Sequence, residues 1–168
     1  MLLLASLGVA VAACSTTAST APAGAATTFI LVRHAEKGTD DARDPSLSDT
    51  GRARADRLAR LLSDAPLTAV YATAYRRTQQ TAQPTAHEHG IVVTTYDAKM
   101  PDAAFASQLR AAHARGTVLV VGHSNSVPGI VAALSGTAVE AMQDDQFDRI
   151  YRVNIGLDGK ATLSQRSY

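Results

Sequence analysis

The chain has no tryptophan, only 5% aromatic residues and a single cysteine, Cys14, among 168 residues. One cysteine excludes an internal disulfide framework, so stability has to come from an apolar core. No charge of one sign predominates. Sixteen basic residues face 15 acidic ones, a formal +1 with no basic block. That balance excludes the electrostatic footprint of a nucleic-acid binder and electrostatic adhesion to a membrane surface. Metal ligands are also scarce. His87 and His89 are an i,i+2 pair that diverges on a helix, and no cysteine or carboxylate set completes a tetrahedral site, so neither a metal nor another cofactor is expected. The longest N-terminal apolar stretch, residues 2 to 11, runs on to Cys14. As a helix it would span roughly 20 Å, short of the roughly 30 Å hydrocarbon core, so it is no transmembrane anchor. What is present is a 46% apolar composition suited to one domain.

The apolar stretch ends in Val11-Ala12-Ala13-Cys14, which resembles a bacterial lipoprotein signal with its lipobox, although no Lys or Arg precedes the run. The resemblance implies removal of residues 1–13, lipidation of Cys14 and a protein tethered to a membrane in the bacterial envelope by its lipid anchor alone. Residues 15–27 contain only Ser, Thr, Ala, Pro and Gly. The segment 14–28 is therefore read as the lipidated cysteine and a flexible tether, and 29–168 as the folded domain.

From Phe29 onward, strand-like and helix-like segments alternate. Strands are expected at Phe29–His34, Ala69–Tyr71, Ile91–Thr95 and Val118–Gly122. Helices are expected from the Ser48 cap to about Leu62, from about Tyr75 to Gly90 with an interruption or kink at Pro84, over Pro101–Arg115, and over Val127–Leu134. Ile150–Ile155 and Ala161–Ser164 read as a closing hairpin around Asp158-Gly159. The pattern predicts an α/β fold, a three-layer α/β/α sandwich on a mostly parallel mixed sheet with an antiparallel edge.

Two strands end in histidine. Arg33-His34 closes the first and Gly122-His123 the fourth, which places polar groups at the carboxyl edge of the sheet, where open α/β folds hold their ligands. Arg33-His34-Ala35-Glu36-Lys37 resembles the Arg-His signature of the histidine phosphatase superfamily, the phosphoglycerate-mutase-like fold. Leu47-Ser48-Asp49-Thr50-Gly51, the stretch Ala72-Thr73-Ala74-Tyr75-Arg76-Arg77-Thr78-Gln79-Gln80-Thr81-Ala82 and Val120-Val121-Gly122-His123-Ser124 match further motifs of that family in the same order. The usual small-Ser-Pro stretch is Ala72-Thr73-Ala74 here, without its proline.

The resemblance implies a metal-independent phosphatase that hydrolyses phosphate monoesters through a phosphohistidine on His34. Arg33, Arg77 and His123 complete the phosphate pocket, and the partner is a small phosphorylated substrate or a phosphoprotein. The chemistry of these side chains agrees with it. A neutral imidazole can attack phosphorus, and planar guanidinium forks match phosphate oxygens. Glu36 and Lys37 are further substrate-binding candidates, and Lys37, Arg43 and Lys99 are candidates for the site entrance or for plain solvated charge. A leaving alkoxide needs a proton donor. The resemblance puts that donor between the second arginine and second histidine motifs, where only Glu88, Asp97 and Asp102 are acidic. Asp97, directly after a strand, is the leading candidate, with a turn-capping role as its alternative and Glu36 as its rival. Only 46 positions separate Arg77 from His123, a short insert that favours water over a second substrate as phosphoryl acceptor. Two other functions stay open: a phosphohistidine-protein phosphatase and a non-catalytic envelope module that binds a phosphorylated ligand.

Overall fold

Alternation along the first strand sets the layering. Phe29 and Leu31 pack into one apolar cluster and Ile30 and Val32 into another, and all four are fully buried. A strand buried on both faces needs helices on both sides of its sheet. The computed structural model describes residues 25–168 and shows this arrangement. Cys14, residues 1–13 and the tether as far as residue 24 lie outside the described residues.

In chain order the elements are β1 (Ala25–Arg33), α1 (Asp49–Leu62), β2 (Leu67–Thr73), α2 (Arg76–Glu88), β3 (Val93–Tyr96), α3 (Asp102–Ala112), β4 (Gly116–Gly122), α4 (Val127–Ser135), β5 (Arg149–Gly156) and β6 (Ala161–Ser167). The six-stranded sheet runs β3-β2-β4-β1-β5-β6. β1 to β4 are mutually parallel where they pair, and β5 and β6 add an antiparallel edge. Leu58 and Leu62 of α1 and Ala82 and Ala86 of α2 cover Ile30, Val32, Val70, Leu119 and Val121. On the other face Phe105 and Leu109 of α3 and Ile130, Val131 and Leu134 of α4 cover Phe29, Leu31, Val118, Val120, Tyr151 and Val153. The three-layer α/β/α sandwich on a mixed, mostly parallel sheet is therefore present.

Several boundaries differ from the sequence reading, each for a local reason. β1 begins at Ala25, ahead of the apolar run, because Thr27 and Thr28 pair with Gly116 and Thr117 of β4. α3 stops at Ala112 rather than Arg115. His113 leaves helical geometry to bond the Tyr71 hydroxyl through Nε2 at 2.9 Å and to accept from Thr27 Oγ1 at 3.0 Å, which draws it to the sheet. α2 runs on through Pro84, whose flanking residues Ala82, Thr85 and Ala86 are buried and hold the helix together across the missing N–H. The β5–β6 hairpin turns at Asp158-Gly159, where Gly159 takes a φ of +78°.

The start of α1 serves the end of β1. Ser48 Oγ caps the helix by accepting from the Gly51 N–H at 3.1 Å, while the Ser48 N–H donates to the Glu36 carbonyl at 2.9 Å. Gly51 sits so close to this loop that an added Cβ would lie 2.2 Å from the Glu36 carbonyl oxygen. Gly51→Ala is expected to cost about 1–3 kcal/mol by forcing the 34–37 loop off α1. A denaturant melt checks it, and an unchanged midpoint refutes the close approach.

Candidate active site

Three parallel strand ends converge at one edge. β1 delivers Arg33 and His34, β2 delivers Thr73, and β4 leads into His123, while the His34 N–H donates to the Gly122 carbonyl at 2.9 Å and ties the first and last of these together. The histidine rings meet edge to face with centroids 5.4 Å apart. Arg77 enters from the first turn of α2.

His34 is only 4% exposed. Its Nδ1 lies 2.8 Å from the Ala35 carbonyl, which can only accept, so Nδ1 carries the proton and Nε2 holds a lone pair. Burial, then the neighbouring His123, Arg77 and Arg33, pull its pKa from 6.5 down to about 3, against the pull of the Ala35 bond. Burial and the same two arginines pull His123 down to about 4. Both rings are neutral near pH 7.

Each guanidinium group is held in place by contacts of its own. Arg33 Nη1 donates to the carbonyls of Gln143 at 2.9 Å, Asp144 at 3.1 Å and Gln146 at 3.3 Å, and the group stacks 4.1 Å from the Phe147 ring. Arg77 Nη1 lies 3.6 Å from Asp44 Oδ1, with its guanidinium 4.3 Å from the Tyr75 ring. The Nε atoms of both arginines are buried without a hydrogen-bond partner. Two guanidinium groups whose charges act on a bare imidazole nitrogen, each with an unsatisfied donor, suit an oxyanion.

The second arginine motif explains itself in these contacts. Thr81 Oγ1 accepts from the Ala35 N–H at 3.0 Å and donates to the Arg77 carbonyl at 2.7 Å, clamping the 34–37 loop to α2. Gln80 Oε1 accepts from the Leu47 N–H at 2.7 Å. Arg76 turns away, pairing with Asp40 at 3.1 Å.

The proton-donor candidates are placed very differently. The Glu36 carboxylate is forked by Arg54, with Nε 3.0 Å from both oxygens and Nη2 2.6 Å from Oε1. Burial alone would raise its pKa, but the Arg54 hydrogen bonds and charge outweigh it and keep the group below its ordinary value. Asp97 is exposed and accepts from the Lys99 N–H at 2.9 Å, as a turn residue does. It follows β3, three strand spacings or roughly 14 Å from β1. The structure thus does not bring Asp97 to His34. Glu88 is exposed at the far end of α2, and Asp102 is pressed against Gly129, where an added Cβ would lie 1.9 Å from Oδ2. Lys37, Arg43 and Lys99 are exposed and make no ion pair among the described residues. His87 is exposed, whereas His89 Nε2 bonds the Leu62 carbonyl at 3.0 Å. Among the described residues no cluster of three or more His, Cys, Asp or Glu stands ready for a metal, and no helix is long and apolar enough to cross a membrane.

The model of the histidine phosphatase superfamily (branch 1) matches residues 29–100, which contain Arg33, His34 and Arg77. Over that stretch the chain is similar to that superfamily. Its fold is similar to the protein histidine phosphatase SixA complexed with tungstate, at 19% identity and a TM-score of 0.65 over 83% of this chain and 96% of that one. It is also similar to a putative phosphohistidine phosphatase SixA from Agrobacterium tumefaciens, at 19% identity and 0.63 over 85% and 99% of the two chains. A phosphoserine phosphatase from Entamoeba histolytica in complex with 3-phosphoglyceric acid aligns at 14% identity and 0.64 over 84% and 98%. These likenesses establish the histidine phosphatase, phosphoglycerate-mutase-like fold. The chain matches none of the curated proteins.

Sequence reasoning missed Phe147, Tyr75 and the carbonyls of the 143–146 loop, which hold the arginines, and the hydroxyls of Thr73 and Thr78. Thr73 and Thr78 lay inside a recognised motif; the loop offers no periodicity or motif at all.

The two depressed histidines make stability depend on pH. The unfolded chain takes up protons near pH 6.5 that the folded chain refuses until about 4 and about 3. Unfolding therefore binds protons in this window, so stability holds above pH 6.5 and falls as pH drops toward 3. Thermal melts from pH 8 to pH 4 should show a falling midpoint, with a shallower fall in His34→Gln. Parallel profiles for the two proteins would count against a neutral, buried His34.

Proposed function

We propose that the protein is a phosphatase that hydrolyses phosphate monoesters through a phosphohistidine on His34. The observation that carries this reading is the His34 tautomer: its Nδ1 is committed to the Ala35 carbonyl, which leaves Nε2 bare within the positive field of Arg77 and Arg33. Such a group can attack phosphorus while the two guanidiniums take the charge on the equatorial oxygens. The phosphoryl group transfers to Nε2 as the ester oxygen leaves, and water then bonds to phosphorus, breaks the phosphorus–nitrogen bond and releases inorganic phosphate.

The placement of the carboxylates favours a second reading within the same chemistry. Glu36 is locked by Arg54 and Asp97 stands apart, so a substrate whose leaving group needs little help from a carboxylic acid, such as a phosphoramidate on a protein histidine, fits the site well. Turnover of an alkyl phosphate, p-nitrophenyl phosphate and a phosphohistidine peptide by the purified protein in EDTA separates the readings. Turnover of the alkyl ester supports the monoesterase, and turnover of the peptide alone supports the phosphoramidase. Binding without turnover of any of them supports a ligand-binding module and ends the enzymatic reading. Loss of activity in EDTA with rescue by a divalent ion would overturn the metal-independent mechanism.

We further propose that Cys14 is lipidated and holds the domain on a membrane of the bacterial envelope, as its lipobox-like setting suggests. Mass spectrometry of the native N-terminus tests this; an unmodified Cys14 removes the anchor.

A further inference from the structure

Behind His123 lies a chain of two buried hydroxyls whose proton positions follow from what surrounds them. Thr73 and Thr78 are both fully buried. Thr78 Oγ1 is 2.8 Å from the Tyr75 carbonyl, 3.1 Å from the Thr73 carbonyl and 2.7 Å from Thr73 Oγ1. A hydroxyl has one proton to give, and a carbonyl only accepts. Were the Thr78 proton aimed at Thr73 Oγ1, the 2.8 Å contact with Tyr75 would set lone pair against lone pair. Thr78 therefore donates to the backbone and Thr73 donates to Thr78, which turns a Thr73 lone pair toward His123 Nε2 at 3.0 Å. Only a protonated Nε2 satisfies it. The remaining ring nitrogen, Nδ1, has no hydrogen bond among the described residues and belongs to a ring that faces His34.

We propose that His123 carries the proton of the reaction through Nδ1, and that Thr73 and Thr78 are positioning residues that hold it in this tautomer. The inference rests on the phosphatase reading and supplies an acid where three nearby or proposed carboxylates are otherwise engaged: Glu36 is forked by Arg54, Asp44 is committed to the Arg76 N–H and to Arg77, and Asp97 serves a turn. The groups facing His123 are His34, with ring centroids 5.4 Å away, and Tyr75, at 5.3 Å, while Arg33 and Arg77 supply the positive field that keeps it neutral until an anion arrives. A monoester monoanion brings its own proton on a phosphate oxygen. As His34 Nε2 bonds to phosphorus, the bond from phosphorus to the leaving oxygen breaks with its electron pair on that oxygen. The phosphate proton passes to His123 Nδ1 and on to the same oxygen, so the alcohol departs neutral. Water then bonds to phosphorus, the electron pair of the phosphorus–nitrogen bond returns to Nε2, and the proton lost by water travels through Nδ1 to the phosphate being released.

Long-range nitrogen–proton NMR of the histidine-labelled protein at pH 7 reads the tautomer directly, before any substrate is added. The expected pattern for His123 is a protonated Nε2 and a bare Nδ1; a protonated Nδ1 overturns the proposal. Kinetics then test the role. Thr73→Val should lose roughly tenfold in kcat on an alkyl phosphate, the effect of about one hydrogen bond, and shift the acidic limb of its pH profile. It should lose far less on p-nitrophenyl phosphate, and Thr73→Ser should restore both. A melting curve confirms that the valine variant is folded, and Thr78→Val repeats the test if it is not. Equal losses on the two esters, or no loss on either, reject the proton-carrying role. Absence of turnover by the unmodified protein rejects the phosphatase reading itself, together with this role, whatever the NMR shows.

Discussion

Replacing His34 with alanine is expected to reduce phosphatase turnover by roughly 10⁴–10⁶-fold, the scale on which enzymes lose rate when their nucleophile is removed. The side chain is buried, and the Ala35 carbonyl fixes its Nδ1 so that Nε2 keeps its lone pair. A brief quench with labelled substrate should trap phosphate on the unmodified protein that is labile in acid and stable in base, as a phosphoramidate is, and none on the alanine variant. Label recovered on serine or aspartate would contradict a histidine nucleophile, and a thermal melt of the variant separates lost chemistry from lost fold.

Arg77→Ala should cost roughly 10²–10³-fold in rate, the effect of deleting one preorganised donor to a charged transition state. The loss should appear in kcat more than in KM, because the planar array of equatorial oxygens that the fork matches forms only as the leaving group departs. Vanadate, which takes a trigonal-bipyramidal form on a histidine, should bind the variant more weakly by a similar factor. Lysine at this position should restore only part of the rate, since a point charge replaces a planar fork already oriented by Asp44 and Tyr75. Arg76→Ala serves as the control: Arg76 pairs with Asp40, so its removal should leave the rate near that of the parent. A larger loss from Arg76 than from Arg77 would exchange their roles.

The parts of this site legible in the sequence are those written in short range. Arg33 and His34 could be placed because a run of β-branched and apolar residues stops at them. Gly159 marked its hairpin because a tight turn needs a positive φ, and Ser48 announced the start of α1 because caps are local. What the sequence hid depends on which strands become neighbours. Thr73 reaches His123 only because β2 lies beside β4 in the sheet, and no periodicity states that order. Arg33 is held by the carbonyls of residues 143–146, where identity matters little since the backbone does the binding. Asp97 shows the opposite case. Its place after a strand was read correctly as lying at the carboxyl edge, but β3 is the outermost strand of that edge, and its carboxylate is spent on the turn it begins.

β1 also fixes how the domain stands relative to whatever holds its N-terminus. Thr27 pairs with Gly116, and Ala25 with Gly156, at one pole of the sheet, and the nine residues of the strand then run roughly 30 Å to His34 at the other. A chain fastened upstream of Ala25 to a bead, a fusion partner or a bilayer therefore presents its imidazoles outward, toward the bulk solution. Immobilisation through the N-terminus should leave the site open to large solutes, whereas a phosphate group lying in the supporting surface itself would be reached only by a domain tipped over on its leash.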